Sequence, residues 1–195
     1  MADEYTIKNE ASSFTPAPEG QFVAVCVDFV NLGDAVEQYM DNPPRVVPKG
    51  ALVFQLDEVN DDTGKRYEPS VEKTLTFGEK AGLRKFLEQW RGKAYTQEEA
   101  RKGAPLHKLV GQCAVVTVEH KTSAAGRVYA RISNITPLLK GVAKIEPESY
   151  VRSDHWAKKK EEYAQKVRAF HATQGDVTDE EFAPVGASGD DDLPF

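Results

Sequence analysis

The sequence predicts a mainly β domain of three strands, one helix and two further strands, and three observations carry that reading. β-Branched and aromatic residues gather in five separate runs, most of them alternating with a period of two. Turn chemistry, Asn60 to Lys65 and Lys121 to Gly126, falls between paired runs. Between the third and fourth runs the apolar period changes to 3.6.

Residues 1–20 are polar and punctuated by Pro16, Pro18 and Gly20, which marks a flexible lead-in. The domain, 21–145, opens with Phe22 to Val30, apolar on both alternations as expected of a strand buried on most of both sides. Asn31-Leu32-Gly33 should stop it. The stretch 34–50, with Pro43, Pro44, Pro48 and Gly50, reads as a long connection whose basic end, Arg45 and Lys49, favours a functional loop. Strand 2 is expected from Ala51 to Val59, half-buried, with Leu52, Phe54 and Leu56 on one face. Strand 3 returns through Tyr67, Val71, Lys73, Leu75 and Phe77.

Leu83, Phe86, Leu87 and Trp90 then form one helical stripe over 79–91, closed by Gly92. Thr96 and Glu99 have capping-box spacing for a short inserted helix, and Pro105 opens a turn through Leu109. Strand 4 is expected over Cys113–His120 and strand 5 over Arg127–Ile135. This order is that of the OB-fold, a five-stranded Greek-key barrel with its helix between strands 3 and 4. A C-terminal helical segment is assigned to 146–173, its helix starting at Ser153, with Trp156, Tyr163, Val167 and Phe170 in one stripe. That stripe is expected to pack on its own domain, or on a second protomer in a homo-oligomer. An acidic tail, 174–195, follows.

Charge is unevenly spread. The net charge is -6, from 25 basic and 31 acidic residues; seven of the acidic residues and no Lys or Arg lie in 174–195, so 24 acidic residues face 25 basic ones in 1–173. A body of about +1 carries a tail of about -7, and such a tail can lie over a basic groove until nucleic acid displaces it. No apolar run is long enough to span a bilayer and the start is polar, so no membrane is expected and the cytoplasm is the expected location. No cofactor or metal is expected either. There is no P-loop, nucleophile elbow or dinucleotide fingerprint; Cys26 and Cys113 lack CxxC spacing; His107, His120, His155 and His171 lack ligand spacing.

The tail ends Asp190-Asp191-Asp192-Leu193-Pro194-Phe195, three carboxylates followed by an apolar tripeptide, which suits a pocket greasy inside and basic at its mouth. This tip resembles the partner-docking tip of bacterial and bacteriophage single-stranded DNA-binding proteins. Pro18 to Val25, Leu32-Gly33, Val110 to Cys113 and Gly126 to Ile132 are similar to the bacteriophage and prophage members. The resemblance implies an OB-fold that coats single-stranded DNA, without sequence specificity, during replication, recombination and repair. It also implies a tail that recruits replication or recombination proteins such as a polymerase, a helicase/primase or a nuclease. A long Gly/Pro/Gln-rich linker is lacking and a lysine-rich helix precedes the tail, so the bacterial tetramer is not implied. For a phage-encoded chain the location is the cytoplasm of the bacterial host.

A sequence-independent binder needs aromatic faces for bases and cations for phosphates. Arg127, Tyr129 and Arg131 share one face of strand 5 at strand spacing, and Lys65, Arg66, Tyr67 and Lys73 form a similar group on the 2-3 hairpin. Arg45, Lys49 and Lys121 are the framing charges, while Trp90 and Trp156 are read as core. Two rival classes remain. One is a protein-binding adaptor without DNA affinity. The other is a metal-dependent nuclease using Glu119-His120-Lys121 with a second carboxylate, Asp57 or Glu58.

Overall fold

The structure is a computed structural model, and it describes residues 15–123 and 125–175. The acidic tail from 176 onward, including the docking tip, and most of the lead-in lie outside the described residues. In chain order the elements are β1 Gly20–Glu37, β2 Arg45–Leu56, β3 Val59–Asn60, β4 Lys65–Arg66 and β5 Ser70–Thr74. There follow α1 Gly82–Arg91, α2 Gln97–Lys102, a 3-10 turn at Leu106–Leu109, β6 Cys113–Thr122, β7 Val128–Pro137 and α3 His155–Gly175. Five strands make one antiparallel sheet in the order β5-β2-β1-β6-β7, and β3 pairs only with β4. The protein is therefore mainly β with a C-terminal helix.

β1 and β2 correct one expectation. Residues 34–50 are not a long loop: β1 continues to Glu37 and β2 begins at Arg45, so the two form a hairpin arm. Leu32 and Gly33 do not stop the strand; the register shifts there and Gly33 takes φ 75°, which glycine adopts without strain. Pro48 lacks a donor but its carbonyl still accepts from the Leu75 N–H at 2.7 Å, so the proline costs the ladder only one bond. Strand 3 is shorter than expected, since the ladder begins only at Ser70, after Pro69.

The sheet buries both faces near β1. On one side Leu83, Phe86, Leu87 and Trp90 of α1 meet Phe54, Val116 and Ile135, and the Trp90 indole N–H donates to the Cys113 carbonyl at 3.1 Å. Gly92 ends α1 at φ 69°, and a Cβ there would stand 2.7 Å from Pro137, so the close approach of helix end and β7 requires glycine. Cys26 also faces this core, and burial pushes its thiol up to about 12. The Thr96–Glu99 capping box forms as the spacing predicts. On the other side Val25, Val27, Val30, Leu32 and Val53 receive Trp156 of α3. Lys159 and the Tyr163 hydroxyl reach Glu72 on β5, so α3 lies across the outer face of the sheet on its own domain.

The helix starts at His155, not at Ser153, and 146–154 is not helical. Instead a strap, 138–154, is tied across the outer face by side chains of the sheet. Gln55, 2 % exposed, donates to the Glu148 carbonyl at 2.7 Å and accepts from the Glu148 N–H at 2.8 Å. Asp28 accepts from Arg152 at 2.5 and 2.7 Å and from the Tyr150 hydroxyl at 2.9 Å. The shift of register between Cys26 and Asp28 turns Asp28 to this face, beside Val27.

β5 and β7, the outer strands, approach each other without ladder pairing, and α1 packs against both. No helix among the described residues is long and apolar enough to cross a membrane.

Burial alone would raise the Asp28 carboxyl, but hydrogen bonds from Arg152 and Tyr150 outweigh it and hold the group below the ordinary carboxylate range. Asp28→Asn is therefore expected to cost about 2 kcal/mol near neutral pH, as for a hydrogen bond to a charged group. A depressed carboxyl stabilises fully above its unfolded value, about 4, and loses that contribution as pH falls through the folded value. Urea unfolding of both chains at about pH 7 and about pH 3 checks this: the gap narrows in acid.

Candidate nucleic-acid interface

Parts of two sequence-predicted groups meet. A cleft of about 550 Å³ opens between the β3–β4 hairpin and the start of β7, and Lys65, Arg66, Tyr67 and Tyr129 all line it. Ser149 and Val151 of the strap, Thr15 and Ala17 before β1, and Glu68, whose carboxylate accepts from Gln55, also line it. The hairpin positions the first three because Asn60 accepts the Asp62, Thr63 and Gly64 N–H groups, and Gly64 takes φ 64°, which closes the turn. Tyr129 is 42 % exposed, opposite Lys121 on β6. Two aromatic rings and two cations around one solvent-open cleft can stack bases and hold backbone phosphates.

Arg66 is not free in the cleft. Its Nη1 donates to the Glu146 carbonyl at 2.9 Å, and its Nε lies 3.0 Å from the Glu148 carboxylate. Lys65 is exposed and has no ion pair among the described residues.

Lys73 does not join the hairpin group as expected. The β-ladder turns it toward the core, where its Nζ stands 5.1 Å from the centre of the Phe86 ring. Burial, then repulsion from Arg131 and Lys49, pulls its ammonium below the ordinary lysine value. Lys73 on β5 is near enough to Arg131 on β7 to be repelled by it, and Ser70 and Tyr129, which line the cleft, belong to the same two strands. Cations and rings thus follow one seam, in a different grouping from the one the strand spacing suggested.

The framing charges are dispersed. Lys49 pairs with Glu37, which also accepts from Thr74, and the Lys49 bond chiefly holds the Glu37 carboxyl down. Arg45 stands opposite Glu37 at the base of the arm's loop, Lys121 lies 3.6 Å from Glu119, and exposed Arg127 has its backbone tied to Ser123. None of the three framing charges, nor Arg127 or Arg131 of the strand-5 group, lines the cleft. Tyr39 and Met40 at the arm's tip are 66 % and 75 % exposed, and spacing did not single them out.

The residues suggested for a nuclease are not brought together. β1 lies between β2 and β6, Glu119 pairs with Lys121, and the His120 ring nitrogen contacts the Ala17 carbonyl at 2.8 Å. Among the described residues no three His, Cys, Asp or Glu side chains form a group that could hold a metal ion. The strap's contribution was missed because its residues have no periodicity; the detectable signal was Asp28 and Gln55, polar side chains within strongly apolar runs, which demand buried partners. Neither a scan of protein-family models nor a search of curated proteins finds a match to this chain.

Lys73 offers a test of site against scaffold. A half-buried cation with no carboxylate partner among the described residues is expected to weaken the fold, so Lys73→Met should stabilise by about 1 kcal/mol near neutral pH. A lowered lysine carries its penalty below its folded value and sheds it as pH rises toward the unfolded value, about 10.4. Urea midpoints at about pH 7 and about pH 10.5 check this, the advantage of the variant shrinking in alkali.

Proposed function

We propose that this chain binds single-stranded DNA without sequence specificity and coats it during replication, recombination and repair. The observation that carries this is the convergence of Tyr67, Tyr129, Lys65 and Arg66 on one cleft, from two hairpins far apart in sequence. The strand order and the helix packed between β5 and β7 support reading the sheet as an OB barrel, with that seam as its closure. α3 and the strap cover the outer face of β1, β2 and β5, so the polynucleotide follows the seam, passing from the cleft toward Arg131 and Lys73.

In this reading no bond is made or broken in the DNA. Rings stack on any base, and cations meet the phosphate charge that every nucleotide carries. The acidic tail competes with DNA for the basic seam, and its tip, Asp190 to Phe195, recruits replication or recombination enzymes.

Titration with oligo-dT tests the reading. Tyr129→Ala and Tyr67→Ala should each weaken binding about tenfold, within the roughly 1 to 3 kcal/mol of a base–aromatic stack. With about four phosphates neutralised, log affinity should fall against log salt with a slope near -0.7 times four. Removing 174–195 should tighten binding most at low salt. A flat salt response together with indifference to both tyrosines would point to a protein-binding adaptor instead.

A further inference from the structure

Arg66 is the one cation of the cleft already held by an acid, and the acid comes from the strap. The strap does not depend on that bond. Its backbone at Glu148 is fixed twice by the buried Gln55 side chain, and Tyr150 and Arg152 hold Asp28 two to four residues further on. Between these anchors Ser149 is at φ 40°, a left-handed conformation that a residue other than glycine adopts only when its surroundings impose it. The anchors thus present the Glu148 side chain to Arg66 while leaving it 62 % exposed to solvent.

From this we infer that Glu148 is an internal stand-in for a DNA phosphate, a carboxylate that holds the Arg66 guanidinium until a backbone phosphate replaces it. The inference rests on the single-strand reading of the cleft and adds a control on that same site. A guanidinium binds carboxylate and phosphate through the same donors. The Nε that faces Glu148 can therefore turn to phosphate, while the Nη1 bond to the Glu146 carbonyl keeps the side chain on the wall of the cleft. The exchange needs only rotation of an exposed side chain, because the Glu148 backbone is held independently. Ser149 and Val151 stay in place as the cleft wall throughout.

The carboxylate also sets a threshold. A pair whose carboxylate is mostly in solvent is worth about 1 kcal/mol, so it discriminates against weak or singly charged anions and yields to a polyanion that makes several contacts at once. This control is separate from the acidic tail, since it is built into the folded body.

Glu148→Gln in the full-length chain tests the inference, with oligo-dT as the probe at low salt. The variant keeps the backbone anchor and removes the charge. It should bind about three- to fivefold more tightly, the size of the ion pair it abolishes, and the gain should vanish when Arg66→Ala is also present. Three results would overturn it. If Glu148→Gln binds no more tightly while Arg66→Ala still weakens binding, the cleft binds DNA but Glu148 does not compete for it. If the gain persists without Arg66, the effect is one of net charge alone. If neither the wild type nor the variant binds oligo-dT, the single-strand reading fails and the inference falls with it.

Discussion

The structure depends on β1 being covered from both sides at once. Ala24, Cys26 and Phe29 enter the core beneath α1, while Val25, Val27 and Val30 enter the layer beneath α3. A strand placed between two apolar layers cannot slip by one residue without exchanging its whole set of contacts, so its register is strongly determined. The one carboxylate in that run, Asp28, must then find partners or be expelled. Arg152 and Tyr150 meet it, which is why the chain after β7 crosses back over the sheet before α3 begins.

That return has a consequence for where a ligand can bind. α3 and the strap cover the outer face of β1, β2 and β5, while the line along which β5 and β7 approach without pairing stays open. The cleft sits on that line, with its hairpin on one side and β7 on the other. Lys49 and Lys159 on the covered face are matched, by Glu37 and Glu72, whereas Lys65, Lys73 and Arg131 near the seam have no carboxylate partner among the described residues.

Much of the architecture was legible because it follows from local chemistry. The stripe Leu83, Phe86, Leu87, Trp90 is buried as its spacing requires, and Thr96 with Glu99 forms the capping box that its spacing announces. The β1–β2 arm was not legible, because prolines and a glycine that usually end strands are here accommodated by a bulge and by a carbonyl still in use. The site was legible residue by residue but not in its grouping. Strand alternation places Tyr129 and Arg131 on one face, yet only the approach of β7 to the β3–β4 hairpin brings Tyr67 to Tyr129. Lys73 shows the limit most plainly: its neighbours in sequence suggested a surface cluster, and the ladder turned it toward Phe86. The strap could be inferred only from the polar residues that it satisfies, since its own sequence is irregular.

The unpaired edges of β5 and β7 carry a further consequence. Free strand edges are templates on which other molecules of the same chain can add strands and aggregate. Here the half-buried Lys73 and the exposed Arg131 flank those edges, and a second copy arriving edge to edge would bring like charges against them. The same few cations thereby oppose edge-to-edge association of two copies along this seam.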